Sequence, residues 1–80
     1  MEKYLFTEEW NLGCPEKYIR IITYGKRTER EVDDICTNME IMSNYDFTNP
    51  CIFDTKQEYL RALRARMDNG CKITDHEKEL

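Results

Sequence analysis

Glycine and proline are scarce, at three and two among 80 residues. That shortage excludes collagen-like, linker-like and low-complexity chains. No run approaches the ~18 consecutive apolar residues that span a bilayer. Residues 1–9, Met-Glu-Lys-Tyr-Leu-Phe-Thr-Glu-Glu, lack the apolar core of a secretory signal, which needs ~7–15 such residues. The expectation is a cytoplasmic protein with no membrane association.

Reactive chemistry is equally thin. The one histidine, His76, lies in a charged C-terminal stretch, far in sequence from Cys14, Cys36 and Cys51. A nucleophile needs a positioned base, and none of the four cysteines has an obvious one. There is no Gly-rich phosphate loop and no Ser-centred elbow. No Cys-x-x-Cys pair offers two thiolates to one zinc ion, and the alternating oxygen ligands of an EF-hand are absent. The expectation is a non-enzyme without cofactor or metal. In a reducing compartment the four cysteines read as small core hydrophobes; in a secreted chain the same four would read as two disulfides.

What is present suits one small domain. Eighty residues with 40% hydrophobic and 35% charged side chains fold as a unit. A chain this size buries only about 60% of its unfolded surface. Lys plus Arg number 12 against 16 Asp plus Glu, for a net charge of -4 and an isoelectric point near 5.0. The domain is expected over residues 1–74, with 75–80 a frayed, charged tail.

Along the chain, Tyr4, Phe6 and Trp10 share one parity and Thr7 and Glu9 the other, which predicts a strand over 3–10. Glu8 breaks the apolar parity. Residues 11–15, Asn-Leu-Gly-Cys-Pro, carry turn chemistry. Residues 17–24 are rich in β-branched and aromatic types and predict a second strand. Pro15-Glu16-Lys17 alternatively opens a helix with Tyr18, Ile19 and Ile22 on one face. Gly25 is expected to end this element. The strand aromatics, with Tyr18 and Tyr24, read as core packing or as an outer stacking platform.

Two helices follow. Thr28-x-x-Glu31 is a capping box, and Val32, Ile35, Cys36, Met39 and Met42 trace one helical face to about residue 43 or 44. Asn49-Pro50 signals a turn, and Cys51-Ile52-Phe53 a brief strand. The second helix starts from Asp54 with Gln57 or from Thr55 with Glu58. Its stripe is Tyr59, Leu60, Leu63 and Met67, and Asn69-Gly70 is expected to stop it in the left-handed region. Residues 71–74 form a possible last edge strand. The fold class is α+β: a small antiparallel sheet, made of an N-terminal hairpin and one or two short strands, with two amphipathic helices packed on one face.

Acids concentrate in the first helix. At about 100° per residue, Glu29, Asp33, Asp34 and Glu40 lie away from the Val32/Ile35/Met39 stripe, and Ile41 falls among them. Carboxylates around one apolar anchor suit a basic protein partner, through steering and a desolvated contact. The preferred function is a non-enzymatic protein-binding module. It would be an inhibitor or adaptor that covers a nucleic-acid-binding surface, by analogy of size and charge with inhibitors from phages or mobile elements. Lys56, Arg61 and Arg64 on the second helix define the alternative, a nucleic-acid-binding or regulatory domain. The acidic total opposes direct nucleic-acid binding. A homodimer joined through a sheet edge is the remaining alternative.

Overall fold

A computed structural model of the protein describes residues 1–13, 19–42 and 45–77, with the Met42 side chain set aside. The elements are β1 (Glu2–Trp10), β2 (Arg20–Thr28), α1 (Glu29–Met42), β3 (Phe47–Phe53), α2 (Lys56–Asp68) and β4 (Lys72–Asp75). They make a four-stranded sheet in the order β3-β1-β2-β4. The class is α+β. The start of the alternative helix at Pro15, the Cys14 thiol, the Tyr18 ring, the last residues 43–44 of the first helix and the tail 78–80 lie outside the described residues. From Arg20 to Thr28 the chain is strand, so Ile22 belongs to β2 and not to a helical face.

β1 is antiparallel to both β2 and β3, whereas β4 runs parallel to β2. The sheet is therefore mixed, not antiparallel throughout. The reason is connectivity. β2 and β3 both oppose β1, so they point the same way, and α1 must carry the chain across β1 between them. α2 then carries it back across β1 and β2 to β4.

This double crossing also corrects the placement of the helices. Crossovers between parallel strands are right-handed in ~98% of cases, so two that travel in opposite directions over one sheet land on opposite faces. The core shows that outcome. Leu5 packs with Val32 and Ile35 of α1, and its neighbour Phe6 packs with Tyr59 of α2. Successive strand residues face opposite ways, so the helices sandwich the sheet and do not share a face. β1 is consequently buried at five positions in a row, Leu5 to Glu9.

The α2 layer holds most of the apolar mass. Phe6, Ile21 and Tyr59 form its centre, with Tyr4, Cys51, Phe53, Leu63 and Ile73 packed around them. The Phe6, Phe53 and Tyr59 rings meet at 5.5–6.2 Å between centroids. Tyr4 and Phe6 are therefore core, Tyr24 packs toward α1, and Trp10 stacks on Phe47 at the far end of the sheet. The helical stripe splits: Tyr59 is buried, while Leu60 and Met67 are 48% and 54% exposed.

Other boundaries shift for local reasons. Gly25 does not end β2; it sits inside the strand at φ 70°, where the register skips Tyr24 as a bulge. An added Cβ there would meet the Glu77 side chain at 3.2 Å. β3 extends back through Pro50 because it is an edge strand, where a missing N–H is tolerated. Thr55 caps α2, accepting from the Glu58 N–H at 3.2 Å. Gly70 is left-handed at φ 81°, whereas Asn69 stays right-handed.

The expected fraying does not begin at residue 75. Asp75 is in β4, the His76 N–H donates to the Thr23 carbonyl at 2.8 Å, and Arg27 donates to the carbonyls of His76 and Glu77. Tyr59 Oη donates to Glu77 Oε1 at 2.9 Å, and burial followed by this carboxylate pushes the Tyr59 phenol well above its usual range.

Glu8, the residue out of parity, is answered by Arg66 near the end of α2. Arg66 Nε donates to Glu8 Oε2 at 3.0 Å and Nη2 to Oε1 at 3.3 Å. Cys51 Sγ donates to the same carboxylate at 3.2 Å and Asn49 Nδ2 at 3.4 Å. Burial alone would raise the Glu8 carboxyl, but the bonds from Arg66 and Cys51 outweigh it and hold it below its ordinary value. The same burial, with Glu8 alongside, pushes the Cys51 thiol up to about 12. Cys36, Cys51 and Cys71 are free.

Removing one partner of a buried ion pair costs ~3–5 kcal/mol, and less where one member is a third exposed, as Arg66 is. Arg66→Met is expected to cost about 2–3 kcal/mol and to lower Tm by about 10–20 °C. Glu8→Leu with Arg66→Met should recover most of that, measured by thermal melts of the four members of the cycle. A depressed Glu8 also means that the unfolded chain binds the extra proton first. Its contribution is complete above the ordinary carboxylate value of 4.5 and is lost as the pH falls through the folded value. Stability against urea should therefore drop on acidification below about pH 4.5, and less so in Arg66→Met.

Candidate functional site

α1 begins where both halves of its capping box close. The Glu31 N–H donates to Thr28 Oγ1 at 3.2 Å, and the Thr28 N–H donates to Glu31 Oε1 at 3.0 Å. These bonds, with Arg27 nearby, hold the Glu31 carboxyl below its usual range. With the first turn fixed, Val32 and Ile35 seat on Leu5 and set the rotation of the whole helix.

That rotation exposes Glu29, Asp33, Asp34, Glu40 and Ile41, the last at 75%. They do not form one face. Helical spacing of about 100° per residue puts Asp34 with Ile41 on the outermost side and Glu29, Asp33 and Glu40 along one flank. On that flank Glu29 and Asp33 border a shallow groove of about 260 Å³, completed by Val32, Lys3 and Ile52. Ile52 is 46% exposed on edge strand β3.

The ion pairs of the described residues join Lys3 to Asp54, Lys26 to Glu2, Arg27 to Glu31, Arg64 to Asp68 and Arg66 to Glu8. None of Glu29, Asp33, Asp34 or Glu40 forms a salt bridge with another described residue. Five of the described cations are engaged with other acids, and these four carboxylates are exposed.

The basic residues of α2 are arranged differently. Lys56, Arg61 and Arg64 are exposed on the opposite side of the sheet, and Arg64 Nε sits 3.6 Å from Asp68. Arg66 turns inward onto Glu8 and over the Phe6 ring, at 5.8 Å from its centroid. Among the described residues, no group of three His, Cys, Asp or Glu side chains is placed to hold a metal ion, and no helix is long and apolar enough to cross a membrane.

Lys3, Val32 and Ile52 were not among the site residues expected from sequence. The alternation in Cys51-Ile52-Phe53 was a usable signal for Ile52, since a strand with 51 and 53 inward turns 52 the other way. A second exposed patch was also missed. The Trp10 and Phe47 rings stack at 5.3 Å and 19°, and Leu12 beside them in sequence is 74% exposed. Reciprocal bonds hold that end: the Leu12 N–H donates to Asp46 Oδ2 and the Asp46 N–H to Asn11 Oδ1, each at 2.9 Å.

Comparison with protein-family models, with curated proteins and with solved structures finds no match to this chain.

Ile41 lies outside the core and Val32 within it. Ile41→Ala should leave Tm within about 2 °C of the parent, whereas Val32→Ala, which opens a buried space against Leu5, should cost about 2 kcal/mol. Differential scanning calorimetry of the two variants checks both.

Proposed function

We propose that the chain is a non-enzymatic protein-binding module whose helix α1 presents carboxylates to a basic surface of a protein partner. In the form we favour, that surface is one the partner uses for nucleic acid, so binding inhibits or redirects it. The observation that carries the reading is the ion-pair pattern. Five acids are paired with the chain's own cations, yet Glu29, Asp33, Asp34 and Glu40 are in no ion pair among the described residues.

Helix electrostatics support it. The last turn of α1 carries no basic residue, and Glu40 stands near the negative end of the helix dipole. An acid there works against the helix, which suits a residue kept for an encounter more than for stability. Glu40→Lys is expected to raise Tm by about 2–5 °C while weakening partner binding.

The nucleic-acid alternative through Lys56, Arg61 and Arg64 has weaker support, since Arg64 is paired and Arg66 is withdrawn. Homodimerisation through β3 meets Pro50, which removes a donor from the middle of that edge.

The test is affinity capture from the host lysate, with the parent chain beside Asp33→Lys/Asp34→Lys. A prominent basic protein should bind the parent, be lost with the variant, and be released by competing duplex DNA. Direct affinity of the purified chain for random duplex, falling steeply with salt, would instead support the nucleic-acid alternative.

A further inference from the structure

We propose that the groove between α1 and β3 seats one long basic side chain, a lysine or arginine of the protein partner. Its stem would lie on Val32 and Ile52 and its charge between Glu29 and Asp33. The inference rests on the reading of α1 as the partner-facing element and names what that element grips.

Size narrows the occupant first. At about 260 Å³ and open to solvent, the groove falls below the ~300–1,000 Å³ of clefts that enclose small molecules. A protruding side chain fits such a notch. Charge narrows it next. Glu29 and Asp33 are four apart, hence neighbours on one side of the helix, where like charges repel at close range. A cation between them relieves that repulsion. Lys3, which lines the same groove, answers Glu29 only in part, because its amine is held by Asp54.

The floor then separates long-stemmed cations from compact ones. Val32 is 5% exposed and Ile52 46%, so an apolar strip continues outward from the α1 core to the sheet edge. Lysine and arginine bury their methylene stems on such a strip while the charged head stays at its rim. Two carboxylates above an apolar floor offer a metal ion too few oxygens. A phosphate or an acidic peptide would meet repulsion. The outermost pair, Asp34 and Ile41, has no comparable recess, and the Trp10–Phe47 patch has no free acid row.

The experiment titrates the labelled chain with an end-capped Gly-Arg repeat hexapeptide at about 150 mM salt, where charges beyond ~8 Å are screened. The methyl resonances of Val32 and Ile52 and the amides of Glu29 and Asp33 are followed by NMR. These signals should shift together. Ile52→Ser and Asp33→Asn should each weaken binding about fivefold, and Gln57→Ala and Leu60→Ala, exposed on α2 across the sheet, should leave it unchanged. Both groove positions are exposed, so unaltered melting of these variants confirms that folding is not the cause. The same peptide with citrulline for arginine should not bind; equal binding would overturn the proposal. Shifts centred on Asp34 and Ile41, abolished by Asp34→Asn and indifferent to Ile52→Ser, would overturn the groove and leave the acidic-helix reading standing. No response anywhere along α1 would overturn both.

Discussion

A carboxylate in the middle of a strand covered on both sides is the constraint around which this fold is arranged. β1 has Leu5 sealed under α1 and Phe6 sealed under α2, so Glu8 has little access to water. A charge so placed is tolerable only with a partner of good geometry and further hydrogen bonds. Arg66 supplies the first, and Cys51 and Asn49 the second. The cluster ties the central strand, the edge strand and the last turns of α2 together. It acts chiefly as a constraint on arrangement, since a hydrophobic replacement of the pair is close to neutral in energy.

The same constraint shapes the charge pattern outside. Arg66 is spent inside the α2 layer and Arg64 pairs along its own helix, which leaves Lys56 and Arg61 as the exposed α2 cations in no ion pair among the described residues. α1 lies across the sheet from these cations and keeps its carboxylates. Had both helices shared one face, the arginines of α2 would have been neighbours of Asp33 and Glu40. Topology therefore separates two sets of charges: because the chain reverses direction over the sheet, Glu29, Asp33, Asp34 and Glu40 of α1 and the arginines of α2 lie on opposite faces.

Local chemistry was legible in the sequence; pairing across distance was not. The capping box of Thr28 with Glu31 appears where its spacing predicts, and of the two caps the sequence offers α2, Thr55 with Glu58 is the one that forms. The α1 stripe also appears, because Val32 and Ile35 depend only on helical period. Pro50 hid four residues of β3, since proline marks a turn unless the strand is known to be an edge. Gly25 hid the end of β2, since a bulge and a stop use the same residue. The opposite placement of the helices needed the parallel alignment of β4 with β2, which four residues of weak strand pattern do not declare. The outward acids were readable one by one, but their division into an outer side and a groove flank depended on Ile52, a residue of another element. Glu8 was visible as an anomaly without an explanation, because its answer lay in Arg66, at the other end of the fold.

The account's central claim is that the fold pairs buried Glu8 with Arg66 and leaves Glu29, Asp33, Asp34 and Glu40 of α1 open. Carbodiimide-driven coupling of an amine to carboxyl groups, read residue by residue by mass spectrometry in the native state, measures this directly. Glu29, Asp33, Asp34 and Glu40 should react at close to the rates seen in the urea-unfolded chain, with Glu8 strongly protected. Protection of the α1 acids to the level of Glu8, or free reaction of Glu8 in the folded protein, would contradict the account.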